Sequence, residues 1–233
     1  MTEKDFKAFM YIGPNKMLIC IFSKIESKIL YKNEFKFLEL KNQIDEISII
    51  NFLTHNIFKI EKQLNQFIND INLIIDNNKF LSIDISVKQN IHGELVKKKN
   101  QINLLNDLKN NIQDNYQGYS IIHYLVNHYL FDENIKKTFD FSKECNHFCV
   151  DTTFILLKTD DLFFFKKIFK KFQISIKKIF YAKYVFGKFD SNEFNECEMG
   201  LKILLGFNPN EVILIKKNTE KRGFFERFFH FFE

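Results

Sequence analysis

A chain of 233 residues with 45% hydrophobic content carries enough apolar material for one or two domains with a substantial core, which excludes an intrinsically disordered polypeptide. The net charge of +5 invites a nucleic-acid reading, yet only Arg222 and Arg227 among the 34 basic residues are arginine, and base-edge recognition favours the bidentate arginine fork. Four cysteines, Cys20, Cys145, Cys149 and Cys197, in a chain whose N-terminus shows neither a signal peptide nor a long apolar run, are expected as free thiols in a cytoplasmic protein.

The first elements are extended. AFMYI, KMLICIF and SKILYKNEFKF are separated by the turn-like GPN and KIE and predict three strands. Across residues 56 to 76, Ile57, Ile60, Leu64, Phe67, Ile68, Ile71 and Ile75 recur at helical spacing, with Lys59, Lys62, Asn65, Asn69 and Asn72 on the opposite face, so the spacing predicts one long helix. Asn77 and Asn78 end it, and the alternation of LSIDISV predicts a strand. This order suits an α/β layer.

Beyond His92 and Gly93 the pattern restarts as a second unit. Residues 100 to 113 predict a short helix, YSIIHYLVNHYLFD a long strand and CVDTTFILLK another. Asp160 or Asp161 is expected to cap a helix with Leu162, Phe165, Ile168, Phe169 and Phe172 on one face and Lys166, Lys167, Lys170 and Lys171 on the other. ISIKKIFYAKYVF predicts a further strand, and EFNECEMGLKILLG a last core helix before Pro209.

The final eleven residues, GFFERFFHFFE, are the densest feature, holding six of 30 phenylalanines. On a helix, Phe224, Phe225, Phe228, Phe229, Phe231 and Phe232 share one arc, while Glu226, Arg227, His230 and Glu233 take the other. The segment is far shorter than the roughly 20 apolar residues that cross a bilayer, but it suits the membrane interface. Lys216, Lys217, Lys221 and Arg222 lead into it and supply charge for anionic headgroups. A helix folded back onto the core is the competing reading; the solvated KKNTEKR connector argues against it.

Few residues are arranged for catalysis. Seven glycines include no Walker or dinucleotide loop, no serine sits in a nucleophile elbow, and Asp84, Asp132, Asp140 and Asp151 have the scattered placement of turn residues. Cys145, His147 and Cys149 alternate as zinc ligands on a strand would, but a fourth ligand is missing, and the cysteines are expected in the core. His123 and His128 are expected at the surface or an interface. The lysine face of Lys166, Lys167, Lys170 and Lys171, with Lys97 to Lys99, supports an alternative reading as a soluble nucleic-acid-binding protein.

Taken in order, these pieces resemble bacterial FtsA, the actin-like cell-division protein that attaches the FtsZ ring to the membrane. FMYIGPNKMLICIF is similar to the family's opening phosphate hairpin, IIHYLVNHYLFDENIKKTFDFS and FILLKTDDLFFFKKIFKKFQISIKKIF to its inserted subdomain, EMGLKILLGFNP to its last core helix and KRGFFERFFHFFE to its membrane-targeting helix. The resemblance implies an α+β or α/β fold: a truncated actin-like, ribonuclease H-like subdomain formed by residues 1–95 and 181–210. An inserted strand-helix-strand-strand subdomain would occupy 96–180, and a tether with an amphipathic helix 211–233. It implies a membrane-tethered adaptor at the cytoplasmic face of the inner membrane. The lipid surface, division proteins such as FtsZ or later divisome components, and a second copy would be its partners, with no nucleic acid bound.

This chain departs from the family at the nucleotide. Tyr11 replaces the acidic residue of the first phosphate loop and Pro14 the hydroxyl residue after Gly13; neither organises a magnesium-bound water or offers a donor to phosphate. Only about a dozen residues stand where the family places its second lobe, a length suited to a connection. The expected protein is therefore non-catalytic and without cofactor, and direct FtsZ binding, which the family locates on that lobe, is not carried over.

Overall fold

The strands β1 (Phe6–Ile12) and β2 (Lys16–Ser23) are apolar at nearly every position, because both faces of their sheet are covered. In the computed structural model, which describes residues 5–41, 45–140, 143–189 and 193–213, Ala8, Met10, Ile12, Met17, Ile19 and Ile21 face one core. Phe9, Tyr11, Leu18, Cys20 and Phe22 face another. β3 (Ile29–Lys36) completes an antiparallel meander on β2, and its alternating exposure marks it as an edge.

α1 (Glu46–Leu64) starts where Asp45 accepts a hydrogen bond from the Ser48 N–H at 2.7 Å, and ends at Asn65, which takes a left-handed φ of 51°. The expected helix over residues 56 to 76 is thus corrected at both ends. It begins ten residues earlier, and Ile71 and Ile75 belong to β4 (Asp70–Ile75). Apolar residues spaced by three or four satisfy a helix face, but a short buried strand also accepts them, and periodicity does not distinguish the two. Asn72, expected on the outer face of that helix, is buried and donates to the Ala8 carbonyl at 3.1 Å.

β4 runs parallel to β1 and to β9 (Ser175–Tyr181), which gives a five-stranded sheet in the order β3-β2-β1-β4-β9. α1 and α3 (Thr159–Lys170) cover one face through Ile49, Leu53, Ile60, Phe165, Ile168 and Phe169. α4 (Ala182–Phe186) and α5 (Glu196–Leu204) cover the other through Val185, Cys197 and Leu201. Lys158, not an aspartate, occupies the α3 N-cap; Asp160 and Asp161 lie in the first turn, where they complement the helix dipole.

Between β4 and α3 the chain builds a second sheet, all antiparallel, in the order β5-β8-β6-β7. Its members are β5 (Phe80–Asn90), β6 (Tyr119–Phe131), β7 (Asn134–Lys136) and β8 (His147–Lys158), and α2 (Lys98–Asn115) packs on it through Leu104, Leu108 and Ile112. The sheet boundaries therefore fall at β5 and β8 rather than at 95/96 and 180/181: β5 pairs with β8, and β9 returns to the first sheet. The three antiparallel strands followed by two parallel ones make one ribonuclease H-like, actin-type lobe, carrying β5 to β8 as an insertion.

Candidate functional site

In sheets of this kind ligands gather beyond the carboxyl ends of the parallel strands, here the ends of β1 and β4. Gly13 and Pro14 follow β1 directly and form its turn into β2, closed by a 3.0 Å hydrogen bond from the Gly13 N–H to the Lys16 carbonyl. Asp76 follows β4 and is tied to β1 by its N–H, which donates to the Ile12 carbonyl at 2.9 Å.

Tyr11 lies across this end of the sheet. Its side chain is buried, packs 6.0 Å from the Phe186 ring and donates its hydroxyl to Asp76 Oδ2 at 3.0 Å. The hydroxyl end rests directly on the Gly13 backbone, so closely that a Cβ on residue 13 would overlap it. Burial, then the Asp76 carboxylate, push the Tyr11 pKa far above its ordinary value, so the phenol stays a neutral donor. Pro14 contributes only its carbonyl, which accepts from the Lys41 N–H at 2.8 Å. The family resemblance singled out Tyr11, Gly13 and Pro14, and the structure joins them with Asp76, which carried no sequence signal as a partner.

Beside Tyr11, a cleft of about 620 Å³ is lined by Lys16, Lys32, Glu34, Phe186, Asn195 and Glu196 among others. Lys16 bridges Glu34 at 3.0 Å and Glu196 at 2.9 Å. Glu196 retains one buried oxygen without a hydrogen-bond partner. The Tyr11 phenol covers the Gly13 backbone, so the β1–β2 turn has no open backbone there to cradle a nucleotide phosphate.

A second polar cluster joins the two sheets to the C-terminal segment. His123 on β6, expected at the surface or an interface, is buried where the two sheets meet. Its Nε2 accepts the Tyr181 N–H at 3.0 Å, which leaves Nδ1 to donate to Glu211 Oε1 at 2.9 Å. Lys178 and the Tyr184 hydroxyl also donate to Glu211, each at 3.0 Å. Burial and the Lys178 charge hold His123 below its ordinary pKa despite Glu211. Burial raises Glu211, but its hydrogen bonds, that from His123 first, and the Lys178 charge bring it below the ordinary carboxylate range. The correction has a cause: β6 carries register breaks between Ile121 and His123 and between Val126 and His128, and each reverses the alternation that would place these residues by sequence.

The zinc reading finds no support. Cys145 is buried in the apolar core before β8, His147 is exposed with Nδ1 2.9 Å from Asn90 Oδ1, and no metal-holding group of His, Cys, Asp or Glu occurs among the described residues. On the lysine face of α3, Lys171 is paired with Glu46 at 2.7 Å, and Lys166 sits 5.7 Å from the Phe163 ring centre. The expected membrane-binding residues Lys221, Arg222, Phe224, Phe225, Arg227, Phe228, Phe229, Phe231 and Phe232 lie outside the described residues. No helix among the described residues is long and apolar enough to cross a membrane.

The fold is an actin-type lobe whose β1–β2 turn is closed by Tyr11. No protein-family model and no curated protein sequence matches the chain. Among solved structures it is similar to the cytoplasmic domain of EpsL, an inner membrane component of the type II secretion system of Vibrio cholerae, at 8% identity over 77% of this chain and 58% of that one, with a TM-score of 0.39. It is also similar to the PilM-PilN type IV pilus biogenesis complex, at 6% identity over 77% of this chain and 48% of that one, with a TM-score of 0.47. A Bacteroides thetaiotaomicron protein with an actin-like ATPase fold and unknown function is 12% identical over 78% of this chain and 54% of its own, with a TM-score of 0.31. The chain thus spans about half the length of the structures it matches.

Proposed function

We propose that this chain is a shortened, non-catalytic FtsA-like cell-division protein, a membrane-tethered adaptor at the cytoplasmic face of the inner membrane. The observation that carries the non-catalytic part is the Tyr11 side chain, buried against Gly13 and bonded to Asp76 where a phosphate-binding turn would need open backbone donors. The Phe-rich C-terminal segment supports the tether, and the insertion supplies surface for protein partners. A single short interfacial helix binds lipid weakly and reversibly, so firm attachment requires several tails on one assembly. Two lysines of the α3 face, Lys171 and Lys166, are engaged within the molecule, which weakens a nucleic-acid reading.

Co-sedimentation of the full chain with anionic phospholipid vesicles tests the tether. The wild type is expected to pellet and the Phe228→Asp/Phe229→Asp variant to remain in the supernatant; equal partition of both removes it. Isothermal titration with magnesium-ATP should give no binding heat, and micromolar affinity would overturn the reading of Tyr11.

A further inference from the structure

The four edge strands of the two sheets are unequally protected. β3 carries Lys32 and Lys36 and a break in its register with β2. β9 carries Lys177 and Lys178 and a break against β4. β7 is only 3 residues long. Charge, irregularity and shortness are the devices that keep an edge from pairing with another chain. β5 is long and regular instead: its 11 residues contain no proline and pair with β8 without a register break, and its two charges, Asp84 and Lys88, are of opposite sign. Its other side ends the sheet.

We propose that β5 is a self-association edge, pairing antiparallel with β5 of a second copy about a two-fold axis at Ser86. The sequence FLSIDISVKQN selects both the partner and the register. Ser82, Asp84, Ser86 and Lys88 stand exposed on one face, while Ile83, Ile85 and Val87 are half-buried toward the α2 core on the other. With Ser86 opposite Ser86, Asp84 of each copy meets Lys88 of the other, and Ile85 meets Val87. Both pairs occur twice, as a two-fold interface requires. Centring the pair on Asp84 or Lys88 sets like charges face to face. Centring it on Ile85 or Val87 leaves both charges opposite serine or asparagine. Apolar pairs on the α2 side would continue one core across the joined sheets.

The pairing stands on β5 and is independent of the tether, although a dimer presents two tails to a membrane at once. Sedimentation velocity without lipid tests it, using the full chain carrying Phe228→Asp/Phe229→Asp so that the tail contributes no association. This protein is expected to dimerise. Asp84→Lys and Lys88→Asp, each of which turns two attractive cross-strand pairs repulsive, should each raise the dimer Kd about 10- to 100-fold, and the double exchange should restore it. As a second measurement, hydrogen exchange of β5 amides should slow as protein concentration rises. A chain that stays monomeric at about 0.1 mM, a dimer indifferent to both charge reversals, or β5 amides whose exchange ignores concentration would each overturn the proposal.

Discussion

Gly13→Ala probes the closed turn directly. The new Cβ would overlap the Tyr11 hydroxyl and the ring carbons that carry it, and that ring is buried. Making room means moving the ring, with overpacking at about 1–3 kcal/mol and loss of a hydrogen bond to a charged group at about 1.5–3 kcal/mol. Partial relaxation overlaps these two, so a net loss of about 2–4 kcal/mol is expected, read from urea denaturation midpoints at constant slope. Tyr11→Ala alone should cost about 3–5 kcal/mol as a buried aromatic truncation. In that background the clash is gone, and Gly13→Ala should be neutral or stabilising by up to about 1 kcal/mol through the unfolded chain. Tyr11→Phe separates volume from hydrogen bonding, because the ring remains and Gly13→Ala should stay costly on it. Equal costs of Gly13→Ala in the wild-type and Tyr11→Ala backgrounds would refute the placement of Tyr11 in the turn.

Other consequences follow from the same packing. A Cβ on Gly200 would press on Ile74 and Phe9 beneath α5, so Gly200→Ala should cost about 1–3 kcal/mol by thermal unfolding, against a helix-propensity gain of about 1 kcal/mol. His123 is held neutral below its ordinary value of 6.5 and Glu211 ionised below its ordinary 4.5. In both cases the unfolded chain binds more protons, so stability should fall as pH drops below 6.5 and fall further below 4.5. Equilibrium denaturation across that range checks the slope, and Glu211→Gln should flatten its acid limb. Asn65 holds φ at 51°, so Asn65→Val should lose about 1–2 kcal/mol while Asn65→Gly stays close to neutral by the same assay.

Much of this lobe was legible where periodicity is unambiguous. The strands β1 to β3, the α2 helix, the α3 face and the α5 helix all carry patterns with one structural solution. Legibility failed where two solutions share a pattern. DINLII satisfies a helix stripe until Asn65 is known to turn left-handed, and β5 alternates identically whichever sheet it joins. Tyr11, Gly13 and Pro14 were singled out by the family resemblance, and the structure places them together at the β1–β2 turn. Their closure by Asp76 was not legible, since it spans 65 positions and depends on the β1–β4 register. His123 was hidden by the two bulges in β6.

β6 also anchors the last described residues of the chain. The exposed side of β6 not covered by β7 is met by the C-terminal segment: the Val126 N–H donates to Asn210 at 2.9 Å and the Val212 N–H to Tyr124 at 2.8 Å. Between these two rungs Glu211 turns inward and takes bonds from His123 of the inserted sheet, Lys178 of the five-stranded sheet and Tyr184 of α4. Asn208 secures the start of the segment through the Tyr184 hydroxyl at 2.9 Å. Glu211 therefore ties the inserted sheet, the five-stranded sheet and α4 together through one buried carboxylate. Removing a single partner would leave the Glu211 charge buried and under-satisfied, which makes the clasp cooperative.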